Sequence, residues 1–360
     1  MKGNILNYLE EYGDVPLSEK PMNDVDSLVL CQLSYLKFDG LVPGVRENKP
    51  SVTLRNLKEH DHYEDLYADE RYEKVNRSLF EHLLAGRRFR NMKLNCYINV
   101  VEDAWETQFS ATTFILEDGT LFIAFRGTDE SIIGWKEDFN MTYMSPVPGQ
   151  EYSVKYLNMV TGKIHNPFYV GGHSKGGNLA MYGAMNVAPA VQERIKKIYC
   201  MDGPGFRPET LQKCGYDNVA SRVVRFLPQA SLVGMIFAPD NDYRVVLSHN
   251  TWLTQHDPFS WEVEGDRFVE VSDINAKTRK SDRNFNEWIL ALNEKQLKTF
   301  SDTFYRVMKE SGIDDLVVFS ENPKKSMKAL LATMKELDPE TREILMEIVM
   351  TLRNVIKSNK

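Results

Sequence analysis

Two spacings of apolar residues alternate along this chain, and their order predicts its architecture. The run Ser27–Leu36 places Leu28, Cys31 and Tyr35 on one helical face and Val29, Leu33 and Leu36 on the next, which predicts a helix packed on a core. Residues 39–75 are polar, broken by prolines and dense in charge from Lys58 to Lys74. A β pattern follows. Cys96–Val101 reads as one strand, and Phe109–Leu116 and Leu121–Phe125 flank Glu117-Asp118-Gly119-Thr120 as a hairpin. Residues 150–163 return to helical spacing through Tyr152, Tyr156, Leu157 and Val160. Pro167–Gly171 is a short buried strand, Asn178–Ala188 a helix of small residues, and Ile198–Met201, Arg222–Leu227 and Tyr243–Leu247 are further buried strands. Strands alternating with helices predict an α/β fold, a three-layer sandwich around a mostly parallel sheet.

The tail changes character after about Lys280. Phe285, Ile289, Leu292, Phe300, Phe304 and Val307 fit one amphipathic helix. Asn322-Pro323 and Asp338-Pro339 each place a capping side chain before a proline at the first helical position. Ile344, Leu345, Ile348, Leu352, Val355 and Ile356 form the stripe of a last helix. The pattern predicts a main domain over residues 1–280, its core at about 90–265, and a helical extension over 281–360. Basic and acidic side chains balance in residues 301–360, so anionic lipid has no strong grip there. The extension is expected to pack on the core or on a second copy, the latter making a homo-oligomer through the C-terminal helices; a lipid-contacting lid or dimer arm is the alternative.

Composition narrows the classes. With 44 Lys+Arg against 51 Asp+Glu the net charge is −7, which disfavours a nucleic-acid binder needing a basic face. No apolar run approaches the ~20 residues of a membrane span. Acids occupy the position of a signal peptide's apolar core. Cys31, Cys96, Cys200 and Cys214 lie far apart without a CxxC pair and read as reduced thiols of a cytoplasmic protein. His60 and His62 form an HxH in a charged loop without partner ligands at site-like spacing, so they read as surface.

Chemistry concentrates in Gly172-His173-Ser174-Lys175-Gly176, a G-x-S-x-G with a strand before it and a helix after it. That is the setting of a nucleophile elbow. The turn lifts the serine oxygen above the sheet edge, side chains at the flanking glycines would collide with neighbouring elements, and the helix N-terminus points N–H groups at a developing oxyanion. The Lys175 N–H is the first such donor. The second is expected from the loop after an earlier central strand, here Phe125-Arg126-Gly127-Thr128-Asp129, at the Thr128 N–H, with the Thr128 hydroxyl as a further candidate. A serine needs a base, and the order in such folds is Ser, acid, His. Of 7 histidines only His249 and His256 lie downstream, and order alone does not separate them. Asp202, at the carboxyl end of the strand after the elbow helix, can reach the base's second nitrogen. Asp240 and Asp242 are rivals, and Asp257 adjoins His256 too closely in sequence to face it well.

Together these segments resemble the class 3 lipases of the α/β-hydrolase superfamily, in which FRG[ST] supplies the oxyanion loop, a Trp and an Asp follow it, and GHSLGG holds the nucleophile. Trp135 and Asp138 in GWKEDF match that follow-on. GHSKGG differs in carrying Lys175 where the lipases have Leu. With DGPGF, LPQASLVG and QHDPFSW the chain looks like the Mbeg-like branch, a bacterial family of unknown function. The resemblance favours His256 over His249. It departs from the lipase pattern at the acid: the stretch Gln229–Gly234 matches the segment that carries the lipase Asp but has no carboxylate. Either Asp202 replaces it from the preceding strand, or the triad is incomplete. The resemblance implies a serine hydrolase of acyl esters, thioesters or lipids, with no cofactor or metal. The alternatives are a catalytically silent scaffold that binds a lipid or protein partner, and an acyltransferase.

Overall fold

The computed structural model describes residues 3–67, 72–102, 106–128, 132–238, 243–310 and 337–358. The chain forms two compact units. One comprises Met1–Val100, Phe109–Gly127 and Gln150–Thr278; the other comprises Val101–Gln108, Thr128–Gly149 and Arg279–Lys360.

The first unit is built on a nine-stranded sheet with the order β1-β2-β3-β4-β5-β6-β7-β8-β11. Its strands are β1 (Val52–Thr53), β2 (Lys93–Glu102), β3 (Thr107–Ile115), β4 (Leu121–Phe125), β5 (Phe168–His173), β6 (Ile195–Met201), β7 (Val223–Pro228), β8 (Arg244–Val246) and β11 (Glu270–Val271). The minor strands β9 (Val263–Glu264) and β10 (Arg267–Phe268) pair separately. From β4 to β8 every neighbour is parallel. β3 and β4 form the expected antiparallel hairpin, Ile115 opposite Leu121, and Gly119 turns it at φ +82°. The α/β fold with a mostly parallel sheet is as the pattern predicts. Burial on both faces explains why these strands read as continuous apolar runs.

The helices of this unit are α1 (Ile5–Tyr12), α2 (Asp24–Leu33), α3 (Leu54–Lys58) and α4 (Glu73–Ala85). After these and α5 (Ile132–Asn140) of the second unit come α6 (Pro148–Lys163, whose first two residues belong to the second unit), α7 (Lys175–Asn186), α8 (Pro189–Gln192) and α9 (Pro208–Lys213). Helix α2 does not show the two-faced exposure of a surface helix. Every residue from Val25 to Leu33 is buried, because α1, α4 and the sheet enclose it. Its anchor is polar. Asp26, fully buried, accepts from Tyr8 Oη at 2.7 Å and from Arg88 Nε at 2.8 Å. Arg88 continues to the carbonyls of Val15 and Lys20 at 3.1 and 2.9 Å. Burial and the Asp26 charge push the Tyr8 phenol far above its ordinary range.

The second unit contains α5 (Ile132–Asn140), α10 (Ala276–Ala291, whose first turn begins in the other unit), α11 (Glu294–Glu310) and α12 (Pro339–Ser358). One helix was expected across Phe285–Val307; there are two. Asn293 breaks the run and caps α11: its side chain accepts from Gln296 N at 3.0 Å, and the Gln296 side chain accepts from Asn293 N at 3.0 Å. This reciprocal pair favours a new helix start over continuation. Asp338 caps α12 through Thr341 N at 2.9 Å. Trp288 packs on Phe300 and donates to the Ile348 carbonyl at 3.0 Å. Asn322-Pro323 lies outside the described residues. Among the described residues no helix is long and apolar enough to cross a membrane.

Candidate active site

Strand β5 lies between β4 and β6, and the chain turns from it directly into α7 at Ser174. Ser174 has φ +57° and ψ −132°, a conformation that L residues adopt only under tertiary constraint. The constraint is visible around it. Ser174 N donates to Met201 O at 2.9 Å, and Gly177 N donates to Ser174 O at 2.9 Å. A Cβ on Gly172 would sit 2.2 Å from Gly176 C, and one on Gly176 would sit 2.1 Å from Phe125 O. The flanking glycines therefore allow the start of α7 to pass over the ends of β4 and β5. Gly127, at the end of the FRG loop, is equally confined: its Cβ would lie 3.1 Å from Ser174 Cβ and 2.1 Å from Tyr35 Oη.

Asp202 follows the last residue of β6 at φ +49° and is 1 % exposed. Its Oδ2 lies 2.6 Å from His256 Nδ1. Its Oδ1 accepts from the Ser231 hydroxyl and from Gly234 N, the latter at 3.2 Å. A carboxylate only accepts, so His256 Nδ1 carries the proton and the lone pair of neutral imidazole rests on Nε2. The His256 side chain keeps 28 % of its surface exposed. His249 is exposed and is held by its backbone N to Ser260 O at 3.0 Å. The structure thus brings together Asp202 and His256. Asp240 and Asp242 lie outside the described residues.

The stretch Gln229–Gly234 has no carboxylate, and here it supplies two donors to one. His173 and Tyr35, which the sequence did not single out, complete the arrangement. His173 Nε2 donates to the His256 carbonyl at 2.8 Å and Nδ1 accepts from Tyr35 Oη at 2.9 Å. The residue before the serine therefore holds the chain that carries the histidine. Burial drives the His173 pKa well below 6.5, so it is neutral, as this bonding requires. Lys175 is buried as the first residue of α7. Thr128 directly follows Gly127, and its hydroxyl donates to Asp138 Oδ2. The Trp135 side chain lies outside the described residues.

The cysteines are free thiols, and burial pushes Cys31, Cys96 and Cys200 above the ordinary thiol range. His62 Nδ1 meets Asp65 Oδ2 at 3.1 Å on the surface.

A mostly parallel sheet whose middle strand runs through a glycine-flanked, positive-φ serine into a helix is the arrangement of a nucleophile elbow, as α/β-hydrolases carry it. Residues 83–306, more than half of the chain, match the Mbeg1-like family, and the chain belongs to that family. The structure is similar to the crystal structure of M37 lipase, with a TM-score of 0.38 and 16 % identity over 59 % of this chain and 70 % of that one. No curated protein matches the chain significantly.

Proposed function

We propose that the protein is a serine hydrolase that cleaves an acyl ester, thioester or lipid. The observation that carries this reading is the Asp202–His256 hydrogen bond of 2.6 Å, on chain that His173, the residue before Ser174, holds through the His256 carbonyl. Ser174 Oγ attacks the acyl carbon while His256 Nε2 takes its proton. The proton passes to the leaving alcohol or thiol as the acyl–oxygen or acyl–sulfur bond breaks. Water, deprotonated by the same nitrogen, then releases the acid and restores the serine. Asp202 holds the imidazole in the required tautomer. The Lys175 N–H, at the positive end of α7, is the first oxyanion donor, and the Thr128 N–H is the second in this proposal. The missing carboxylate in Gln229–Gly234 is accounted for if Asp202 serves instead, because that stretch then presents Ser231 and Gly234 to it. No cofactor takes part. A cytoplasmic setting and self-association through the C-terminal helices belong to the same reading.

A fluorophosphonate probe tests it. Ser174 is expected to be labelled in the wild type, not in Ser174→Ala, and more slowly in His256→Ala and Asp202→Asn. A folded wild type that takes no label at Ser174 overturns the reading and favours a silent binding scaffold.

A further inference from the structure

We propose that Arg225 is a positioning residue that holds the acid of the triad in place. The proposal rests on the reading of Asp202 and His256 as the acid–base pair. Arg225 lies on β7, beside the β6 end that carries Asp202, and is 2 % exposed. Its Nη2 donates to two carbonyls, Gly203 O at 3.2 Å and Gly234 O at 3.1 Å. Gly203 is the residue after the acid. Gly234 is the residue whose N–H donates to Asp202 Oδ1. One guanidinium thus ties the chain leaving the acid to the loop that receives it.

That loop has little freedom at the acid. Gly234 N also donates to Ser231 Oγ at 3.0 Å, so the two donors to Oδ1 brace each other. A Cβ on Gly234 would fall 2.4 Å from Asp202 Oδ1. The start of the loop is fixed by Gln229 N to Val246 O at 3.0 Å and Ala230 N to Gln255 Oε1 at 2.8 Å. Its far end is fixed by Gly205 N to Ile236 O at 2.7 Å and by Arg225. The Arg225 charge also offsets part of the upward push that burial gives the Cys200 thiol, which donates to the same Gly203 carbonyl.

Stability alone does not account for this side chain. No ion pair to Arg225 occurs among the described residues, and its Nε and Nη1 have no hydrogen-bond acceptor there. A buried cation without a counter-ion is costly. What the guanidinium supplies and an apolar residue cannot is a rigid pair of bonds to the two carbonyls flanking the acid site.

The test is a double-mutant cycle read as the rate of fluorophosphonate labelling at Ser174 in the full-length protein. Arg225→Met is expected to slow labelling about tenfold or more in the wild-type background. In the Asp202→Asn background it is expected to change the rate less than about twofold, because the group it positions is already disabled. Arg225→Lys, which keeps a cation able to reach one carbonyl, is expected to recover part of the loss. If Arg225→Met does not fold by circular dichroism, the cycle is run with Arg225→Lys and read the same way. Equal slowing in both backgrounds, or none in either, overturns the inference while leaving the triad standing. A folded wild type without label at Ser174 removes the triad reading and this inference with it.

Discussion

Alanine at Gly176 probes the close approach on which the elbow depends. The added Cβ would lie 2.1 Å from Phe125 O, 2.9 Å from Phe125 C and 3.0 Å from Arg126 C, all backbone atoms that cannot swing aside. To restore ordinary contact, α7 has to retreat from the end of β4 by about 1 Å. It has no clear direction in which to go. The next glycine, Gly177, is already tight on the Cys200 side chain, and Gly183 is tight on Leu157 and Ser153 of α6. Overpacking without relief costs about 3 kcal/mol, equivalent to a fall of roughly 6–12 °C in melting temperature for a unit of this size. Because the displaced segment begins at Ser174, labelling of that serine should also fall, by about 10²-fold for a 1 Å misplacement. Gly162→Ala is the control: Gly162 lies in α6 with nothing within 4 Å of its Cβ position, so alanine there should stabilise by about 1 kcal/mol. Thermal melting and labelling kinetics of both variants decide the matter. A Gly176→Ala protein that melts and labels like the wild type would refute the account of the elbow as a glycine-dependent close approach.

Two further outcomes follow from buried polar groups. His173 is neutral in the fold, with its pKa below 6.5, and the unfolded chain takes up a proton there as pH falls through 6.5. Folding stability should therefore decrease below about pH 6.5, by up to about 1.4 kcal/mol per pH unit from this group. Denaturant melts against pH should show a shallower acid decline in His173→Asn, and an unchanged decline would rule the assignment out. Arg88→Met leaves the Asp26 carboxylate buried without its counter-ion and should cost about 3–5 kcal/mol. The double variant Arg88→Met, Asp26→Leu should recover most of that loss, which urea unfolding would show.

Much of the fold was legible because its signals are local. The β3–β4 hairpin needed only alternating residues around a Gly turn, and the elbow needed only two glycines spaced about a serine between a strand and a helix. Other elements had signals that were masked. Helix α4 carries Leu79, Phe80 and Leu83 at helical spacing, but it follows the charged stretch ending at Lys74. The Asn293–Gln296 pair marks a helix start inside a run whose apolar spacing continues through it. The all-round burial of α2 had no local signal, since a helix enclosed by neighbours differs from a one-faced helix only in what surrounds it.

The amino-acid order by itself determined where a strand could end, where a serine could stand in a strained turn, and which late histidines and acids were eligible partners. It did not choose among them. Asp202 and His256 are 54 residues apart, His173 and His256 are 83 apart, and Tyr35 and His173 are 138 apart. Arg225 reads in sequence as one polar residue within an apolar strand. Its bonds to the Gly203 and Gly234 carbonyls, like the approach of Ser231 and Gly234 to Asp202, exist only once β6 and β7 lie side by side and the chain beyond β7 folds back to them. Backbone geometry and side-chain period act over a few residues, whereas the pairing of a carboxylate with an imidazole is decided by which distant segments the parallel sheet brings to the same edge.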